Sequence, residues 1–120
     1  MLKKMLAAAL FCEAMAGLAF AGESVPIASC DTERRSMGEP CQAYIGTNFK
    51  QPKMQQYAKN ACDNAKSKWA LNTACPAQNR VGICKMNAGT GAEIWDVYYA
   101  QQREAANACT TMLHGKWSAQ

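Results

Sequence analysis

From Met54 onward, apolar side chains fall at Met54, Tyr57, Ala58, Ala61, Cys62 and Ala65. That spacing places them on one face of a helix. Pro52 stands where a first helical turn tolerates proline. A second helical run begins near Gln101, with Ala105, Ala108, Cys109, Met112 and Leu113 on a shared face. His114-Gly115 closes it in the way glycine ends helices. Elsewhere the pattern is shorter. Cys41 to Ile45 is apolar and runs into a turn signal at Gly46-Thr47-Asn48. Val81 to Met86 reads as a strand, Asn87 to Gly91 as a hairpin loop with two glycines, and Ile94 to Tyr99 as the β-branched and aromatic return strand. A helix starting near Ala92 is the competing reading of that last stretch. Gly22 to Ser29 reads as a flexible leader to the domain. Each half is then a hairpin, a helix and a short tryptophan-bearing strand. The expected fold is α+β, an antiparallel sheet with two helices, with a ferredoxin-like arrangement as the alternative.

The first 21 residues are expected to lie outside this domain. Lys3 and Lys4 precede a mostly apolar run to Phe20, and Ala19-Phe20-Ala21 is a small-x-small cleavage signal. This is the layout of a secretory signal peptide, too short to span a bilayer comfortably. Cleavage after Ala21 leaves 99 of the 120 residues and removes Cys12. Phe11 before Cys12 is too bulky for a lipoprotein signal. Six cysteines remain in an exported chain, which reads as three disulfides in one domain spanning 30–120.

The cysteines also suggest an internal repeat, 30–74 and 75–120. Cys30, Cys41, Cys62 and Trp69 align in order with Cys75, Cys84, Cys109 and Trp117. Asn60-Ala61-Cys62 matches Asn107-Ala108-Cys109, and Lys68-Trp69 matches Lys116-Trp117. Three cysteines per half require at least one bridge between halves. The symmetric expectation is Cys41–Cys62 and Cys84–Cys109 within halves and Cys30–Cys75 between them, although spacing alone does not choose among the pairings.

Cys75-Pro76, Asn79-Arg80-Val81-Gly82-x-Cys84, Tyr98-Tyr99, Cys109 and Gly115-x-Trp117 together resemble a pattern in small secreted six-cysteine bacterial proteins of unknown function. The resemblance covers most of the chain after the leader and is best in the second half. Ser67-Lys68-Trp69 departs from it. It implies an exported bacterial protein and carries over no catalytic residue.

Candidate chemistry is sparse. No C-x-x-C pair supports thiol redox catalysis. His114 is the only histidine, so closely spaced zinc ligands and a two-histidine ribonuclease are missing. No metal and no cofactor is expected. A small hydrolase or ribonuclease would need His114 with Glu93 or Glu104 and Arg103, which helix spacing disfavours. The net charge of +4 falls to +3 once two lysines and one glutamate leave with the leader. Its excess is confined to Lys50, Lys53, Lys59, Lys66 and Lys68, opposed there only by Asp63. That segment is either a solvated helix face or a contact for polyanions. Specific nucleic-acid recognition is not expected, for want of an arginine cluster with stacking aromatics. Trp95 and Tyr99 share one strand face and are the aromatic candidates for sugar or protein contact. The functional expectation is an exported, non-enzymatic binding module of the bacterial envelope or exterior, periplasmic or extracellular. Its partner would be a protein, glycan or anionic lipid. An inhibitor of a secreted hydrolase, with Asn87 to Gly91 as its wedge, is the alternative.

Overall fold

The structure is a computed structural model and describes residues 25–120. The proposed signal peptide and Cys12 lie outside the described residues. Six strands form one antiparallel sheet: β1 (Ala28–Asp31), β2 (Cys41–Tyr44), β3 (Lys68–Leu71), β4 (Gly82–Met86), β5 (Ile94–Tyr98) and β6 (Lys116–Ala119). Helix α1 (Pro52–Asn64) separates β2 from β3, and α2 (Gln102–Thr111) separates β5 from β6. Short 3-10 turns occupy Arg35–Met37 and Thr47–Lys50. The expected α+β class, the antiparallel sheet and the two helices are all present. The competing helix near Ala92 is not: that stretch is turn, and β5 follows it.

Strand order is β3-β1-β2-β5-β4-β6. In each half the last strand returns to pair with the first, and β2 and β5 join the halves at the sheet centre. Register gives the arrangement a local two-fold axis. Trp69, Cys30, Gln42, Asp96, Cys84 and Trp117 stand directly opposite one another in a single row across the sheet. The axis passes between Gln42 and Asp96. The equivalence extends to aromatic packing: Tyr44 lies 5.5 Å from Trp69 and Tyr98 5.8 Å from Trp117, both at 48°. Cys30 therefore occupies the place of Cys84, which corrects the alignment of Cys41 with Cys84.

The disulfides follow the same geometry. They are Cys30–Cys62, Cys41–Cys75 and Cys84–Cys109. The last is as expected; Cys41–Cys62 and Cys30–Cys75 are corrected. Neighbouring residues of a strand point to opposite faces. Cys30 and Cys84 share the row with Gln42, so both helices are bonded to the same sheet face. Cys41 points to the other face, away from α1, and meets Cys75 of the segment joining the halves.

That back face has its own core of Cys41, Ala43, Cys75, Ile83 and Val97. On the helix face, Ala28, Cys30, Tyr44, Phe49, Ala58 and Cys62 form the core of the first half, and Cys84, Tyr98, Ala105 and Cys109 that of the second. The leader reading of residues up to Ser29 also needs correction. Ala28 and Ser29 are buried residues of β1, standing opposite Tyr44 and Ala43 of β2.

Candidate functional site

Helix α1 packs on β3 and on the 3-10 turn before it, and α2 packs on β4 and β6. The central strands β2 and β5 lie between them. Three strand spacings separate β1 from β4, about 14 Å, so the helices flank a groove rather than touching across it.

The walls follow from how little of each helix meets the sheet. Only Ala58 and Cys62 of the apolar face of α1 are buried. Met54, Tyr57, Ala61 and Ala65, all expected in the core, are exposed, and Tyr57 is 74% accessible. Tyr57, Ala61 and Ala65 form one ridge at four-residue spacing. Ala61 and Ala65 line a cavity of about 250 Å³ together with Gln42 and Tyr44 of the sheet and Glu39 and Pro40 of the β1–β2 loop. The Ala61 and Ala65 end of the ridge thus faces that cavity. Lys59 lies on the other flank, paired to Asp63 at 2.9 Å.

The floor is polar at its centre. The Gln42 amide donates to Asp96 Oδ1 at 3.1 Å, and the Tyr44 hydroxyl donates to Gln42 Oε1 at 3.2 Å. Asp96 is 6% exposed and is the one charged residue buried among the described residues. Burial raises its carboxyl above the ordinary value, and the Gln42 hydrogen bond opposes this in part. Burial and then the Asp96 charge push the Tyr98 phenol up to about 12. The same two causes raise Tyr44. Buried carboxyls with raised values occur both at functional sites and in structural networks.

The residues singled out from the sequence do not converge. Lys50 and Lys53 lie at the start of α1, Lys66 beyond its end, and Lys68 on β3 facing the opposite side from Trp69. They are strung along a helix of about 20 Å. Trp95 and Tyr99 sit on the back face and are half-buried against its core. The Trp95 indole N–H donates to Glu93, and Lys85 Nζ stands 4.6 Å from its ring. The Tyr99 hydroxyl donates to the Pro76 carbonyl at 2.6 Å. Neither forms an exposed aromatic patch joined to the lysines. His114 is exposed in a left-handed turn after α2. Glu104 and Arg103 lie at the far end of that helix, about 15 Å away by helical rise. The Asn87 to Gly91 loop is exposed at its tip but braced, with Gly89 N–H bonded to Glu93 and Asn48 N–H to the Gly91 carbonyl.

Asp96 was missed from the sequence. Its signal was one carboxylate inside the otherwise apolar and aromatic run Ile94 to Tyr99. No group of His, Cys, Asp or Glu among the described residues is arranged to hold a metal. No helix among them is long and apolar enough to cross a membrane. The three disulfides fit an oxidising compartment. No family model, curated protein or solved structure matches the chain.

Proposed function

We propose that this protein is an exported, non-enzymatic binding module of the bacterial envelope or exterior, and that the groove between α1 and α2 is its docking face. The observation that carries this reading is an exposed apolar ridge on α1 whose Ala61 and Ala65 line a cavity with Gln42, the partner of the buried Asp96. Ordinary packing would cover Tyr57 and Met54 and would leave no charge at the sheet centre. A groove with an apolar wall on α1 and a buried carboxylate at the sheet centre suits a peptide segment that carries a lysine or arginine among apolar residues. The cation would neutralise Asp96 while the apolar side chains cover the Tyr57 ridge.

The test is selection of a random displayed peptide library on the oxidised protein. Enrichment of peptides pairing a basic residue with apolar ones, lost on Asp96→Asn and on Tyr57→Ser, is expected. Enrichment that both substitutions leave intact would place binding elsewhere, and enrichment of acidic peptides would refute the charge argument.

A further inference from the structure

The Cys30–Cys62 bridge stands on the wall of a cavity. Both residues line the space of about 250 Å³ beneath α1, together with Ala61, Ala65 and Ser67. Cys30 is 6% exposed and Cys62 2%. The other bridges are more enclosed. Cys84 and Cys109 are each 0% exposed, and Cys75 borders a crevice of only about 10 Å³.

The two-fold axis supplies an internal comparison. Cys30–Cys62 and Cys84–Cys109 are equivalent bridges, and Trp69 and Trp117 are equivalent residues. Two residues before each tryptophan the chain is tied to its own bridge. The Ser67 N–H donates to the Cys62 carbonyl at 3.0 Å, and the Gly115 N–H to the Cys109 carbonyl at 2.7 Å. The preceding Lys66 and His114 are both left-handed, at φ 55° and 52°. Gly115 lies so close that a Cβ on it would stand 2.5 Å from Cys84 Sγ and 3.1 Å from Cys109 Sγ. Glycine permits that approach, and its backbone covers the sulfurs. Ser67 carries a Cβ, so the same segment of the first half cannot lie as near, and it lines a cavity instead.

This bridge also carries much of the attachment of α1. Of the 13 residues of the helix, only Ala58 and Cys62 are buried. An alanine buries little apolar area, and an isolated helix of this length is marginal in water.

We infer that Cys30–Cys62 is a thiol-exchange site, reached through this cavity by low-molecular-weight thiols. A thiolate attacks one Sγ of the bridge and forms a new S–S bond to it. The Cys30–Cys62 bond breaks, and its electron pair leaves on the other Sγ, which takes up the proton that the incoming thiol gave up. A second thiolate then attacks the mixed disulfide. Two small thiols are thereby oxidised to their disulfide, and the bridge is reduced by two electrons to two cysteine thiols. Exchange unties α1 from the sheet. The inference does not depend on what the groove binds, although opening the bridge would remove one wall of the proposed docking face.

The experiment is brief exposure of the oxidised native protein to 2-mercaptoethanol at mildly alkaline pH without denaturant, then alkylation with iodoacetamide and peptide mapping. An uncharged thiol is chosen because the Glu39 carboxylate also lines the cavity. Cys30 and Cys62 should be labelled first, on the order of tenfold faster than the remaining cysteines. Hydrogen exchange of the selectively opened protein should rise across 52–64 and stay unchanged across 102–111. Ala65 is exposed, so Ala65→Met narrows the cavity without altering the core. It should slow labelling of Cys30 and Cys62 about threefold or more. Equal labelling of either other bridge would overturn the assignment. So would an Ala65→Met protein opened as fast as the parent, since the bridge would then be reached by unfolding rather than through the cavity. Unchanged hydrogen exchange in α1 would refute its tethering by this bridge.

Discussion

Asp96→Asn should stabilise this protein at neutral pH, and the gain should vanish in acid. The carboxylate is 6% exposed and receives a hydrogen bond from the Gln42 amide. Several kcal/mol of desolvation accompany burial of an ion, against about 1.5–3 kcal/mol from a hydrogen bond to a charged group. The net penalty at pH 7 is put at about 1–2 kcal/mol. Asparagine keeps the oxygen that accepts from Gln42 and removes the charge. The sign follows from linkage. Burial raises the folded carboxyl above its ordinary value of 3.8, so the folded state binds the proton more tightly than the unfolded chain. Stability contributed by this group is highest below the unfolded value and falls as pH rises through the raised folded value. Urea midpoints of both proteins, disulfides intact, should coincide near pH 3 to 4 and separate toward pH 7 (about 4–8 °C in Tm per kcal/mol for a domain of this size). Other acids titrate alike in both proteins and cancel in the difference. A variant that is no more stable at pH 7, or a gap that persists unchanged in acid, would refute the reasoning.

Three further outcomes follow from the geometry. Removing the back-face bridge with Cys41→Ala/Cys75→Ala should lower stability by about 3–4 kcal/mol, because it closes a loop of sequence separation 34. Hydrogen exchange should show the loss concentrated in residues 72–81. Gly82→Ala would set a Cβ 2.0 Å from Trp117 Cζ2, so the indole must move. A loss of about 2 kcal/mol and a red-shifted tryptophan emission are expected. If the lysine segment does contact polyanions, Lys53→Glu and Lys66→Glu, each made singly, should reduce retention on heparin more than Lys59→Glu does. Lys59 already spends part of its charge on Asp63; equal losses would argue against that ranking.

The fold class was legible because its signals are local. Pro52 marks the start of α1, Asn87 to Gly91 turns a hairpin, and Lys-Trp recurs in both edge strands. β1 was hidden by its composition, since Ala28-Ser29-Cys30-Asp31 has no branched or aromatic residue to mark a strand. Missing it shifted the repeat by one cysteine and so misassigned two bridges. Which cysteine faces which side of a sheet depends on register, and register depends on pairing partners far along the chain. The groove was illegible for a related reason. Periodicity identifies an apolar flank of α1 but not how much of it the sheet covers, so Tyr57 and Met54 read as core.

The axis explains why the two halves do not both carry aspartate at its centre. Equivalent residues meet there, and each faces the other directly. Two aspartates would place like charges together in a buried site, and one would be forced to hold a proton. Gln42 opposite Asp96 instead gives one donor and one acceptor, and Tyr44 satisfies the remaining glutamine oxygen. On this argument Gln42→Asp should be more destabilising at pH 7 than in acid, the same direction of pH dependence as the native charge but larger. Asp96→Gln would restore symmetry without charge and should flatten that dependence. Restored symmetry would also remove the anion on which the proposed docking of basic peptides rests. Stability and peptide enrichment should therefore move in opposite directions in Asp96→Gln. If enrichment survives while the pH dependence disappears, the buried charge serves the sheet alone and the groove binds by its apolar wall.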